Sequence, residues 1–377
     1  MPHARARHQP TVIDTDASSS FACDYVAGIN RVLSMPPYLL VDNIGRNIEV
    51  WRFQSGGLDP VARARYDLTS YPGDPIASLL DVDLHGAFLR GDGRELLTVN
   101  HYGRVRRFDL LSGPEMRPTR EWQLLGDTER VAIAGHAFIT SSPRGEFTAD
   151  PAQPGICLFE PIAADAKPES GPPARLDFEP ALADWGVITA LAASAGHDRL
   201  AVAAGQRLGV FRLACDSAGV RLGGCIWESA LACHCQWLQF EESGYLWAGG
   251  HRPVAVNPPD GNWDACCGGS IDAFESDGRR HHVATALPEA TAWGYGADPI
   301  VVSADGGELY VLGRDASLHV VTVRTGAQHR RYAAVESQDG VASPSLGIGH
   351  ATRREGWVYA GFSRGGFRLI RYDVRPA

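Results

Sequence analysis

The stretch 87-AFLRGDGRELLTVNHYGRVRRFDLLSG-113 decides the fold. It holds three short runs of alternating apolar and polar residues, punctuated by Asp92-Gly93, Tyr102-Gly103 and Ser112-Gly113. Alternation with a period of two puts the apolar side chains on one face of a strand. Asp-Gly between two such runs is a strong hairpin signal. The stretch therefore predicts three consecutive antiparallel strands joined by tight turns.

The same order returns in 300-IVVSADGGELYVLGRDASLHVVTVRTG-326, with Asp305-Gly306 and Thr325-Gly326 as turns, and in 187-VITALAASAGHDRLAVAAGQRLGVFRL-213. Its third strand recurs along the chain as 48-IEVWRF, 105-VRRFDL, 156-ICLFEP, 208-LGVFRL, 271-IDAFES, 318-LHVVTV and 367-FRLIRY. Aligned on Trp51, Phe108, Phe159, Phe211, Phe274, Val321 and Ile370, the spacings are 57, 51, 52, 63, 47 and 49 residues. A fourth strand fits 119-TREWQLL, 173-PARLDF, 220-VRLGGCIW and 327-AQHRRYAAV. Four antiparallel strands repeated every ~40–50 residues are the signature of a propeller blade. No 10–15-residue amphipathic helix separates the strands, which disfavours a parallel-sheet enzyme.

The expected fold is all-β: a seven-bladed β-propeller of four-stranded antiparallel blades. Its blades span approximately 25–75, 81–126, 128–180, 186–230, 231–288, 296–336 and 342–375, in one domain over 10–377 behind a flexible tail, 1–9. The unit 87–113 resembles a WD40 repeat, with Phe108-Asp109 where that repeat carries Trp-Asp. The resemblance covers nearly the whole chain as architecture and implies no particular activity. The last blade, 346-LGIGHATRREGWVYAGFSRGGFRLIRYDV-374, supplies three strands only. An open sheet edge there invites pairing, so 10-PTVIDTD-16 is expected to close it as the outer strand.

Composition bounds the function. Apolar residues at 44% and charged residues at 21% are the balance of a globular protein with a substantial core. A net charge of −9 argues against a nucleic-acid footprint across the surface. No run approaches the ~20 apolar residues that span a bilayer, and the N-terminus lacks the apolar core of a secretory signal. The expected location is cytoplasmic, where thiols stay reduced.

Two cysteine groups bear on chemistry. Cys233 and Cys235 flank His234 at the start of the fifth blade's inner strand; Cys266 and Cys267 lie in the long loop 251–267. Four thiolates would suit zinc, but structural zinc sites favour C-x₂₋₄-C pairs, and adjacent cysteines chelate poorly. The favoured reading is that these cysteines are small apolar fillers, with no cofactor; zinc on Cys233, Cys235, Cys266 and Cys267 is the alternative. His85, His136, His197, His251 and His350 fall at different offsets from the third strands, so they do not form one metal-holding ring. No nucleophile elbow, P-loop or H-E-x-x-H motif occurs.

One further regularity is an arginine in each turn between second and third strands: Arg46, Arg104, Arg144, Arg207, Arg252, Arg314 and Arg364. Seven such turns would crowd onto one face and offer guanidinium groups to carboxylates or phosphates. The competing reading is that each arginine pairs with a local carboxylate or only solvates its turn. Trp263 and Phe147, in the long loops, add aromatic contact area. The expected function is thus a non-catalytic WD40-like scaffold that binds protein partners, without nucleic acid or membrane, through Arg46, Arg104, Arg207, Arg252, Arg314, Arg364 and Trp263. The alternative is a propeller hydrolase or metal-dependent oxidoreductase with its site at the channel mouth beside 251–267.

Overall fold

A computed structural model describes residues 10–15, 28–55, 57–66, 84–90, 93–123, 130–134, 137–141, 156–159, 175–176, 185, 187–216, 219–253, 268–289, 291–293, 298–323, 328–332, 349–364 and 366–375. Among these residues the regular elements are β-strands, and they form seven four-stranded sheets. The first sheet takes β2 (Ile29–Met35), β3 (Tyr38–Asn43), β4 (Asn47–Gln54) and β5 (Gly57–Arg65) in that order. The second takes β6 (Leu84–Arg90), β7 (Glu95–Asn100), β8 (Arg104–Asp109) and β9 (Pro118–Gln123). The third takes β10 (Arg130–Ala134), β11 (Ala137–Ser141), β12 (Ile156–Phe159) and β13 (Arg175–Leu176). The fourth takes β14 (Ala190–Ala193), β15 (Arg199–Ala204), β16 (Arg207–Asp216) and β17 (Gly219–Ala230).

The fifth sheet takes β18 (His234–Phe240), β19 (Leu246–His251), β20 (Ser270–Phe274) and β21 (Arg280–Ala286). The sixth takes β22 (Ile300–Val302), β23 (Glu308–Leu312), β24 (Leu318–Thr322) and β25 (Gln328–Tyr332). The seventh takes β26 (Gly349–Arg354), β27 (Trp357–Phe362) and β28 (Arg368–Asp373), and its fourth strand is β1 (Thr11–Asp14). β1 runs antiparallel to β28, with Thr11 opposite Arg371 and Asp14 opposite Arg368. Within a sheet each strand pairs with its neighbour in the order given, and many of the connections, such as those between β3 and β4 or β7 and β8, are short hairpins, which is why the turn residues were informative. Gly93 and Gly306, in the Asp-Gly turns, have φ of 79° and 65°, a region open to glycine at little cost.

The chain divides by its internal contacts into two units: Met1–Val61 with Val254–Ser270 and Val283–Ala377, and Ala62–Pro253 with Ile271–His282. Within the second unit the first strands β6, β10, β14 and β18 neighbour one another in that order. The faces between them are apolar. Ile139 meets Leu200, Val202 and Phe211 between the third and fourth sheets, and Val210, Cys235, Leu238 and Phe274 fill the next interface. Where two sheets come closest the chain uses glycine: a Cβ on Gly86 would lie 2.6 Å from a methyl group of Val131.

The other unit is built the same way. Leu312, Leu318 and Val320 pack on Val358, Ala360 and Tyr372, while Ile29, Val32, Leu39 and Val41 pack on Tyr359 and Leu369. Ile13 of β1 joins this second cluster. The aligned third-strand residues Trp51, Phe108, Phe211, Phe274, Val321 and Ile370 are all buried. Each large one contributes roughly 1.5–3 kcal/mol by leaving water. This is the physical content of the repeat: in six of the sheets, one buried apolar anchor on the third strand.

Two polar contacts fasten this unit. Thr15, just past β1, is buried; its hydroxyl lies 2.8 Å from Oδ1 of Asn43 and 2.9 Å from the Phe367 carbonyl. Tyr372 is fully buried, and its hydroxyl donates to the Ala316 carbonyl at 2.7 Å, in the turn between β23 and β24. Replacing Tyr372 by Phe keeps the ring and strands that carbonyl. The expected cost is about 1–2 kcal/mol of unfolding free energy, read as a lower urea midpoint at unchanged slope. A variant as stable as the parent would show that the bond contributes nothing.

Candidate interaction surface

The hairpins between second and third strands carry the arginines named from the sequence. Arg46 lies between β3 and β4, Arg252 follows β19, Arg314 lies between β23 and β24, and Arg364 between β27 and β28. Arg104 and Arg207 open β8 and β16. Arg144, Trp263, Phe147, Cys266, Cys267 and His136 lie outside the described residues, as does 254–267, the greater part of the loop singled out as an enzyme lid.

These arginines fall into two groups. Arg46, Arg104 and Arg314 are half-buried. The Arg46 guanidinium lies 3.8 Å from the Phe367 ring centre, and burial lowers its pKa. Arg314 donates to the Trp293 carbonyl at 3.1 Å, and the Arg104 amide donates to Oδ1 of Asn100 at 2.6 Å. Arg207, Arg252 and Arg364 are exposed. The turn position was legible in the sequence; which side chain would be drawn inward was set by the ring or carbonyl beside it.

Arg207 has the most developed surroundings. Its guanidinium bonds Oε2 of Glu228 on β17, at 2.9 and 3.2 Å, and lies 4.2 Å from the Trp185 ring centre. The two charged side chains are 46% and 43% exposed. Such a pair contributes only ~0–1 kcal/mol, so Glu228 holds the guanidinium loosely. Around it Gln206, Ser229 and Ala230 help line an open hollow of about 580 Å³. Trp185 and Glu228 had no sequence signal, because they come from segments whose alignment with the turn appears only once the strands pair.

At the inner edges of the sheets the strands carry a second polar set. β2, β6 and β18 each have a register shift at a polar residue, Asn30, His85 and Gln236. A bulge of this kind re-aims a side chain. Arg130 of β10 reaches past the fourth sheet to donate to Oε1 of Gln236 at 2.6 Å. Arg31 likewise lies 3.0 Å from Asp298 and 3.4 Å from Nδ1 of His350. Inner edges thus converge within each unit, and the apolar–polar pairs Ile29-Asn30, Leu84-His85 and Cys235-Gln236 mark them in the sequence.

Cys233 and Cys235 are buried in an apolar cluster with Leu238, Ala248 and Phe274, and burial pushes the Cys235 thiol well up. Among the described residues no group of three or more His, Cys, Asp or Glu is arranged to hold a metal ion. His234 stacks on His251, ring centres 4.9 Å apart. Nδ1 of His251 lies 2.6 Å from the Arg252 carbonyl, which can only accept. His197, in the hairpin between β14 and β15, has φ of 54°.

No family model and no curated protein matches the chain. Among solved structures it is similar to the Myceliophteria thermophila Cps50 (Swd1) β-propeller domain, with a TM-score of 0.57 and 13% identity over 97% of this chain and 100% of that one. No helix among the described residues is long and apolar enough to cross a membrane.

Burial, with His251 and Arg130 nearby, holds His234 down to about 4. The unfolded chain takes up a proton near the ordinary value of 6.5 that folded His234 refuses. Its stabilising effect is therefore complete above that value and is lost as the pH falls toward 4. Glu49, pushed up by burial to about 7, has the opposite sign: its contribution is lost as the pH rises from 4.5 to 7. The difference between parent and His234→Gln isolates the first effect. Urea midpoints of the parent should fall relative to the variant as the pH drops from 6.5 to 4; parallel curves would show that His234 is not held neutral. Taken together, the four-stranded antiparallel sheets and the structural similarity identify the chain as an all-β protein of the β-propeller fold.

Proposed function

We propose that this propeller is a non-catalytic protein-interaction scaffold, whose second-to-third strand hairpins contact acidic or phosphorylated segments of a partner. The observation that carries this reading is the exposed Arg207–Glu228 pair over Trp185, at the rim of the open hollow. A guanidinium backed by an aromatic ring and loosely held by one carboxylate suits exchange onto an incoming carboxylate or phosphate. Exposed Arg252 and Arg364 in corresponding hairpins extend the same chemistry. Under this proposal the seven sheets are blades of one ring, closed by β1 on β28, and the protein works in a reducing cytoplasm that suits the free thiols of Cys225 and Cys235. A rigid frame of packed sheets keeps the hairpins preorganised, which lowers the cost of binding.

The test is charge reversal of the three exposed arginines, Arg207, Arg252 and Arg364, to Glu in the full chain. Proteins captured from extract of the native cell by the tagged parent should be reduced at least tenfold on the variant, and their retention should weaken with salt. The fold should be kept, since all three side chains are exposed. Capture of the same proteins at the same level would refute the proposed face.

Ring closure has its own test. Deleting residues 1–18 removes β1 and Thr15 and leaves the edge of β28 unpaired. The melting temperature should fall by several degrees and the truncated chain should self-associate. A truncation that melts with the parent and stays monomeric would reject closure by this strand.

A further inference from the structure

A second concave feature lies at the other hairpin ends, in the unit that holds the first and seventh sheets. There the turn between β26 and β27 approaches the end of β4 and the start of β5, leaving a cleft of about 250 Å³. Pro37, Phe53 and Gly57 line one side, and Arg354, Trp357 and Tyr359 the other. This volume is below the ~300–1,000 Å³ of drug-sized ligand pockets, and suits one or two residues of an extended chain.

The lining has a definite chemistry. Phe53 and Tyr359 meet at 5.7 Å between ring centres, inclined at 56°. The Arg354 guanidinium lies 5.8 Å from the Phe53 ring centre, and that of Arg371 4.3 Å from the Trp357 ring. Nη1 of Arg371 lies beside Gly57, 3.9 Å from where a Cβ there would stand. The Nε atoms of Arg354 and Arg371 are both buried without a hydrogen-bond partner. A buried donor left unsatisfied costs about 1–3 kcal/mol, and aromatic faces backing a guanidinium strengthen its hold on an anion.

Neighbouring groups engage this charge only in part, one of them being Tyr359, to which the Arg371 side chain is hydrogen-bonded. Asp373 is taken by Arg375, through Nε at 2.8 Å and through Nη2. Glu355, which also lines the cleft, forms an ion pair with Arg354 at 3.8 Å, but it is 77% exposed, and so exposed a pair is weak and readily exchanged. The cleft therefore combines aromatic walls with the Arg354 guanidinium in its lining and that of Arg371 beside Gly57, each with its Nε donor unused.

We infer that this cleft is a docking site for an acidic peptide segment of a partner protein, one that places an Asp or Glu carboxylate on Arg354 and Arg371 with an adjacent apolar side chain against Phe53 and Trp357. Aromatic and arginine residues are the side chains that most often dominate binding energy at protein interfaces. The site is separate from the hairpins that carry Arg207 and stands or falls independently of them.

A random twelve-residue peptide library displayed on phage, panned on the immobilised full-length chain, tests the inference. Enriched peptides should share an Asp or Glu next to a Phe, Tyr, Trp or Leu. A labelled synthetic peptide of that sequence should bind the parent in fluorescence anisotropy, at least tenfold less tightly to Arg354→Glu and Gly57→Glu, and within twofold of the parent to Arg207→Glu. Gly57→Glu is the safeguard against misfolding, because a Cβ there meets only Arg371 at ordinary contact distance. No enrichment, enrichment without acidic residues, or equal binding to Gly57→Glu would overturn the inference. Loss on Arg207→Glu with retention on Gly57→Glu would do so too, by locating the peptide at the opposite hairpins.

Discussion

A four-stranded sheet of this sequence has two faces and can satisfy neither alone, so the structure depends on sheet-to-sheet burial of the third-strand anchors. Phe211 packs toward Ile139 of the preceding sheet, and Phe274 lies with Cys235, Val210 and Leu238 at the following interface. Tyr372 and Ile370 play the corresponding part against Leu312 and Leu318. Burial of each such side chain is comparable in size to a large share of a domain's net stability. The glycines and alanines on first and second strands follow from the same demand, since Gly86 and Gly361 stand where a side chain would strike Val131 and Ile29. Packing of this kind leaves hairpins outside the core and free to differ.

Charged residues divide along the same line. Those near inner edges are drawn into specific contacts across sheets, as Arg130 is with Gln236 and Arg31 with Asp298. Those at hairpins meet water and hold weaker partners, as Arg207 does with Glu228. Arginine is well suited to both roles, because its planar group bonds carboxylates directionally and also lies flat on rings such as Trp185, Phe367 and Trp357. An acidic chain with almost all its positive charge on arginine thus has cationic spots without becoming cationic overall.

Much of the candidate hairpin surface was legible beforehand, and its partners were not. Turn glycines and the alternation around Phe108, Phe211 and Phe274 located the hairpins, so Arg104, Arg207 and Arg314 fell where the spacing put them. That Arg46 would lie on Phe367, more than three hundred residues away, or Arg207 on Trp185, is a matter of long-range neighbours. The cleft at Phe53 and Trp357 left no trace in any repeat, because its walls come from two different sheets.

By itself, the sequence determined strand, turn and third-strand anchor, since these are local: a period of two, a residue tolerant of positive φ, and one large apolar side chain per repeat. It also marked 10–16 as a strand-forming stretch, which pairs with β28 as β1. Only the tertiary structure decided which polar side chains converge, because Arg130 meets Gln236, and Arg354 meets Phe53, across sheets that local pattern does not order. Contacts within a strand are fixed by the backbone's periodicity; contacts between sheets depend on how close two faces come, and that distance is set by every side chain packed between them.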